Sequence, residues 1–157
     1  MTATLAATEV VAALRDHTAT VSTAESLTAG LLCATLVDVP GASEVVRGGI
    51  VAYSADLKAE LLGVPEDLLA RVGTVDAETA AAMATGGRRR LGSSFAVATT
   101  GVAGPDPVEG KPVGLVFVAV AGPGGCDTRR LRVRGDRAAV RAGAVRGALD
   151  LLLDALR

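Results

Sequence analysis

The apolar positions of this chain change period several times, and each change marks an element. Residues 5 to 16 carry Leu5, Val10, Val11 and Leu14 at the spacing of one helical face, and the short, partly β-branched stretch ATVSTA after them predicts a strand. Leu27 to Leu36 reads as the next helix. Pro40-Gly41 breaks the chain, Val45 to Tyr53 is strand-like around Gly48-Gly49, and Asp56 to Leu62 forms a short helix closed by Gly63 and Pro65. Asp76 suits the N-cap of an Ala-rich helix that reaches about Leu91, with Gly92 as its stop.

Phe95 to Thr100 has the pattern of a buried strand and runs into TGVAGPDPVEGKPVG, a loop dense in Gly and Pro. Val113 to Ala121 and Thr128 to Val133, separated by GPGGCD, suit a hairpin. Gly135-Asp136 then starts a terminal helix with Val145, Leu149, Leu152 and Leu156 on one face. Strands mixed with helices, plus one hairpin, predict a single α/β domain over residues 1–157, a three-layer α/β/α sandwich around a mixed sheet. A chain of this length buries a substantial core without a second domain.

Composition narrows the function. A net charge of −1 and 2% aromatic residues offer neither an electrostatic footprint nor stacking platforms, so no nucleic-acid partner is expected. The cluster Arg88-Arg89-Arg90 falls where a helix ends and complements its dipole. No apolar segment approaches the roughly 20 residues that span a bilayer, and the N-terminus lacks a signal-peptide pattern, so a soluble, cytoplasmic protein with no membrane partner is expected. Cys33 and Cys126 belong to no metal-ligand spacing and read as small core residues; no disulfide, metal or cofactor is expected. His17, the single histidine, falls at the end of the first helix and suits a capping role, which leaves no Ser-His-Asp triad to assemble.

In open α/β sheets, ligands lie beyond the carboxyl ends of strands. Three segments fall at such ends: TAESLTAG after the first strand, GGIVAYSADLK from 48 to 58, and TGVAGP from 100 to 105. Ser26 in the first is either a helix cap or a nucleophile. Without a histidine, a serine needs another base, and a lysine whose ammonium form is destabilised is the usual substitute. Lys58 is the candidate in a chain where lysine is scarce, the alternative being a solvated helix residue. Tyr53, the single tyrosine, either relays a proton and holds the Lys58 amine or is a core ring with its hydroxyl at the rim. The turn around Thr100, Gly101 and Gly104 fits neither a dinucleotide fingerprint nor a P-loop; it is either an anion-binding turn or an ordinary connector.

The segments AESLTAGLL, VVRGGIVAYSADLKAELLGVP, GTVDAETAAAMATGGRRRLGSSFAVATTGVAGPD and KPVGLVFVAV resemble, in order and spacing, the CinA C-terminal domain family, whose stand-alone members are nicotinamide-nucleotide amidohydrolases. The resemblance covers residues about 5 to 156. It implies a deamidase that converts nicotinamide mononucleotide to nicotinate mononucleotide and ammonia with a serine and a lysine at its core. Position by position, the family's serine falls on Ser26 and its tyrosine and lysine on Tyr53 and Lys58, which favours the nucleophile over the cap. Leu27 and Ala29 stand where many members have Cys and Gly. The sequence carries no counterpart of the larger pyrophosphatase-like domain of full-length members, so neither that activity nor its metal is expected. The resemblance further implies a homo-oligomer.

The expected mechanism is acyl transfer from the carboxamide to Ser26, with neutral Lys58 as base, Tyr53 orienting Lys58 or protonating the leaving amine, and N–H groups at the start of the following helix stabilising the oxyanion. The phosphate is assigned to the turn holding Thr100, Gly101 and Gly104, with Thr28, Gly30, Gly48 and Gly49 around the substrate. Arg137 and Arg141, one turn apart on the terminal helix, read as surface charges in preference to site residues. An amidohydrolase of another small amide, or a non-catalytic nucleotide-binding module, are the competing functions.

Overall fold

A computed structural model describes residues 2–157. The chain runs α1 (Ala3–Asp16), β1 (Val21–Glu25), α2 (Leu31–Val37), a 3-10 turn (Ala42–Glu44), β2 (Val46–Val51), α3 (Ala55–Leu62), α4 (Glu66–Val72), α5 (Ala77–Leu91), β3 (Phe95–Gly101), β4 (Leu115–Gly122), β5 (Gly125–Arg132) and α6 (Arg137–Leu156). The strands form one sheet in the order β2-β1-β3-β4-β5, parallel from β2 to β3 and antiparallel from β3 to β5. This is the mixed sheet that the hairpin and the helical crossovers require.

Helices cover both faces. One layer packs α1, α2 and α6 on Val21, Val97, Val116, Val118 and Val120, and the other packs α3, α4 and α5 on Ala24, Ala98, Ala119 and Ala121. Along β4, Val116, Val118 and Val120 face one layer while Ala119 and Ala121, preceded by Phe117, face the other, so the second face narrows to small side chains toward the strand's end. The small face brings α5 close. A Cβ at Gly87 would stand 3.2 Å from the Ala24 methyl, and one at Gly86 would run into the Leu62 carbonyl.

The caps follow the sequence. Thr2 receives the Leu5 N–H, Asp76 that of Glu78 and Asp136 that of Ala139, while His17 closes α1 with Nδ1 2.8 Å from the Ala13 carbonyl. Gly92 ends α5 in the left-handed conformation.

Three elements differ from the expectation. Helix α4 occupies a segment to which the sequence pattern assigns no element; its apolar positions span two turns, too few to register a period. Helix α2 begins at Leu31, because residues 27 to 30 form a turn with Ala29 and Gly30 at positive φ. Gly125, Cys126 and Asp127 extend β5 by pairing with Gly122, Ala121 and Val120, which shortens the hairpin connection to Pro123-Gly124 and leaves Cys126 exposed on an edge strand, with Cys33 only half-buried.

Candidate active site

The carboxyl ends of β1, β2 and β3 meet at one place. Strand β1 ends at Glu25, so Ser26 is the first residue of the turn beyond it, fixed by its N–H to the Thr99 carbonyl at 3.0 Å on the neighbouring strand. The hydroxyl is nearly buried, at 7% residue exposure.

Lys58 comes from the first turns of α3 and has no exposed surface. Its Nζ lies 2.9 Å from Ser26 Oγ, 2.8 Å from the Ala52 carbonyl and 2.9 Å from the Tyr53 carbonyl. Burial pushes its ammonium down to about 8, an effect that the Glu109 carboxylate partly opposes. A neutral amine keeps two N–H bonds. With both directed at the two carbonyls, its lone pair is left for the serine hydroxyl, which is the geometry a general base needs. The strand-end peptide groups supply this anchoring.

The Tyr53 phenol is elsewhere. Tyr53 is 59% exposed, and its hydroxyl accepts from Arg137 Nη2 at 3.3 Å; its hydrogen bond with Lys58 is made by the main-chain carbonyl. The expected contact between phenol and amine is therefore replaced by a carbonyl contact.

The turn after Ser26 is closed by Glu25. This buried carboxylate accepts the hydroxyls of Thr23 and Thr28 and the N–H groups of Gly30, Leu32 and Cys33. Thr28 is also within 2.8 Å of the Thr99 hydroxyl. The N–H groups at the start of α2 are thus already occupied. Within the turn, the N–H groups of Leu27 and Thr28 have no acceptor among the described residues, and they replace the helix start as the donors available to an oxyanion.

The remaining expected site residues divide. Gly30 and Thr28 belong to the Ser26 turn. Gly48 and Gly49 lie in mid-strand opposite Ser22 and Thr23, so the structure does not bring them to Ser26. Gly49 makes room for the Thr23 hydroxyl and Cys33, while Gly48 lines a separate groove of about 500 Å3 with Cys33 and Arg47. The Thr100 hydroxyl is buried and donates to the Thr74 carbonyl at 2.5 Å. Gly101 belongs to β3, where a Cβ would stand 2.8 Å from the Leu115 carbonyl, and Gly104 has φ +92 with a Cβ position 2.7 Å from Val113. These glycines are required by packing and backbone conformation.

Two of the three arginines of α6, Arg137 and Arg141, reach the site. Arg137 donates to the Gly104 carbonyl at 2.5 Å as well as to Tyr53, and Arg141 donates to the carbonyls of Leu27 at 2.8 Å and Thr28 at 3.1 Å. Neither forms an ion pair among the described residues. From the sequence alone they read as surface charges in preference to site residues. Their acceptors are main-chain carbonyls far along the chain, which no spacing reveals.

Among the described residues no cluster of His, Cys, Asp and Glu has a metal-holding arrangement, and no helix is long and apolar enough to cross a membrane.

The family model described as the CinA C-terminal domain matches residues 3–156. A CinA-like protein of Frankia casuarinae is 54% identical over 143 residues, which are 91% of this chain and 33% of that protein. A putative competence-damage inducible protein of Desulforamulus reducens is 51% identical over 138 residues, 88% of this chain and 34% of that protein. The chain therefore spans about a third of the length of these relatives. Among solved structures, a CinA superfamily protein of Klebsiella pneumoniae superposes with TM-score 0.96 at 34% identity, covering 99% of this chain and 98% of that one. A competence/damage inducible protein of Agrobacterium tumefaciens gives 0.92 at 38% identity, covering 98% and 94%. With the family model spanning nearly every residue and the fold superposing on its solved members, this chain belongs to the CinA family, as a CinA C-terminal domain.

Proposed function

We propose that this domain is an amidohydrolase that releases ammonia from the carboxamide of nicotinamide mononucleotide by acyl transfer through Ser26. The observation that carries the reading is the placement of Lys58 Nζ, buried, with two contacts to carbonyls and the third to the Ser26 hydroxyl. A structural lysine has no need of a serine as its third partner, and burial makes the neutral form accessible near neutral pH.

In this mechanism Lys58 takes the proton of Ser26, and the serine oxygen bonds to the carboxamide carbon. The carbonyl oxygen gains the negative charge and is met by the unclaimed N–H groups of Leu27 and Thr28. Collapse of the tetrahedral intermediate breaks the C–N bond while the Lys58 ammonium returns its proton to the nitrogen, which leaves as ammonia. Water then gives its proton to Lys58 and its oxygen to the acyl carbon, and the acid departs as Ser26 is reprotonated. No cofactor enters this sequence.

The substrate's phosphate is assigned to Arg137, whose guanidinium stands at the rim between Tyr53 and Gly104 without a carboxylate partner. The turn at residues 100 to 105 then contributes mainly by positioning the Gly104 carbonyl that holds this arginine. Ammonia release from nicotinamide mononucleotide by wild type and Ser26→Ala tests the reading. Wild type should turn over and the variant should be inactive while still binding nucleotide; turnover within a few-fold of wild type removes Ser26 as nucleophile.

A further inference from the structure

We infer that Glu25 is the positioning residue of this site, a side chain that touches no reacting atom yet sets the turn on which the nucleophile and its oxyanion donors are carried. The inference rests on Ser26 acting as the nucleophile.

Glu25 is 1% exposed and has no cationic partner among the described residues. Its two oxygens accept five donors: Oε1 those of Thr28, Gly30 and Leu32, and Oε2 those of Thr23 and Cys33. Burying a carboxylate this way is costly unless each lone pair is satisfied. The arrangement also differs from an ordinary helix cap. The N-cap residue of α2 is Gly30, which offers no side chain, and the capping group arrives from the end of the preceding strand. The carboxylate therefore staples residue 25 to residues 28, 30, 32 and 33, and Ser26 and Leu27 are enclosed within that loop.

The enclosed turn is not one the chain adopts by default. Ala29 is a non-glycine residue at φ +48, followed by Gly30 at φ +97, and such conformations persist where surrounding bonds over-determine them. With the carboxylate claiming the N–H groups of Gly30, Leu32 and Cys33, those of Leu27 and Thr28 are the ones left free directly after the serine. Glu25 thus determines which amides of the turn are left without an acceptor.

The main chain of the same residue serves the base. The Glu25 carbonyl accepts the Ala52 N–H at 2.9 Å, and the Ala52 carbonyl receives Lys58 Nζ. Side-chain replacement leaves that second route intact, so the two halves of the dyad are separable by mutation.

The test compares wild type, Glu25→Gln and Thr28→Val. Gln keeps the volume of the side chain and one acceptor oxygen but presents an amide donor where a second carboxylate oxygen stood. Thr28→Val removes one hydroxyl of the staple at nearly constant volume. Rates are normalised to folded protein, and labelling of Ser26 by a fluorophosphonate is timed separately, since it needs the nucleophile and not the amide substrate. Both variants are expected to lose about tenfold or more in kcat and in labelling rate, with KM changed less than about threefold and the pH midpoint near that of wild type. If kcat and labelling rate per folded protein stay at wild-type values while only Tm falls, Glu25 is merely structural and the inference is overturned. A wild-type protein that leaves Ser26 unlabelled fails the nucleophile reading itself, which separates the two failures.

Discussion

Arg141 Nε donates to the carbonyl of Leu27 at 2.8 Å, tying the terminal helix to the residue that follows Ser26. Its Nη2 takes the next carbonyl, that of Thr28, so one half-buried guanidinium holds two consecutive peptide groups of the turn. Replacing Arg141 with Ala leaves both carbonyls without this donor. The expected cost is about 1–3 kcal/mol in stability, together with a fall in kcat larger than the change in KM. Urea denaturation and steady-state kinetics on the same preparations check it; unchanged kinetics would make the contact a packing feature alone.

Activity should follow the protonation of Lys58. Only the neutral amine accepts the serine proton, so kcat/KM should rise with pH through about 8 and level off above it. The same group makes stability depend on pH. Its folded value lies below the ordinary lysine value of 10.5, so the unfolded chain binds more protons between about 8 and 10.5, and this contribution to stability increases as pH rises across that window. Lys58→Arg should be inactive at every pH, since a guanidinium stays charged. A pH profile flat from 6 to 9 would show that Lys58 is not the base.

Arg137→Gln should separate substrates by their phosphate. With nicotinamide mononucleotide, kcat/KM is expected to fall about tenfold or more, the loss of one charge-assisted contact, whereas the slower reaction of nicotinamide riboside should scarcely change. Equal losses on both substrates would assign Arg137 to holding Tyr53 and Gly104 only. Valine substitutions at Gly101 or Gly104 are poorer probes, because both positions are filled by backbone or by Val113.

Two substitutions test the helical layers. Leu152 is fully buried in the core that α1, α2 and α6 build on the sheet, and Leu152→Ala should cost about 2–5 kcal/mol through lost burial and the cavity left behind. Gly86→Ala drives a methyl into the Leu62 carbonyl, a rigid neighbour, and should cost about 1–3 kcal/mol in spite of alanine's better helix propensity. Thermal unfolding of both variants reads the effect, and a Gly86→Ala protein as stable as wild type would show that α5 can move away from α3.

What the sequence made legible was whatever side chains announce. Periodicity and caps gave α1, α5 and α6, the mixture of strands with helices gave the sandwich, and the hairpin gave the mixed sheet. Ser26 and Lys58 meet as their types suggested. The groups that orient them were hidden for a physical reason: the carbonyls of Ala52 and Tyr53 and the N–H groups of Leu27 and Thr28 are common to every residue, and only the fold decides which are unpaired. Tyr53 illustrates this, since its position matters through its carbonyl while its phenol serves the rim. Glu25 was in plain view, one residue before Ser26, yet its reach to Cys33 depends on a left-handed turn that the composition of TAESLTAG does not disclose.

The grip of α6 on the turn after β1 and on Gly104 makes the seating of one helix a condition for the rim of the site. Ser26 and Lys58 are held by β1, β3 and α3, whereas the guanidinium groups of Arg137 and Arg141 come from about eighty residues further along the chain than Lys58. On the proposed reading, hydrolysis of a phosphorylated amide therefore reports whether the terminal helix is seated, since undocking α6 removes both guanidinium groups and leaves the contact between Ser26 and Lys58 in place.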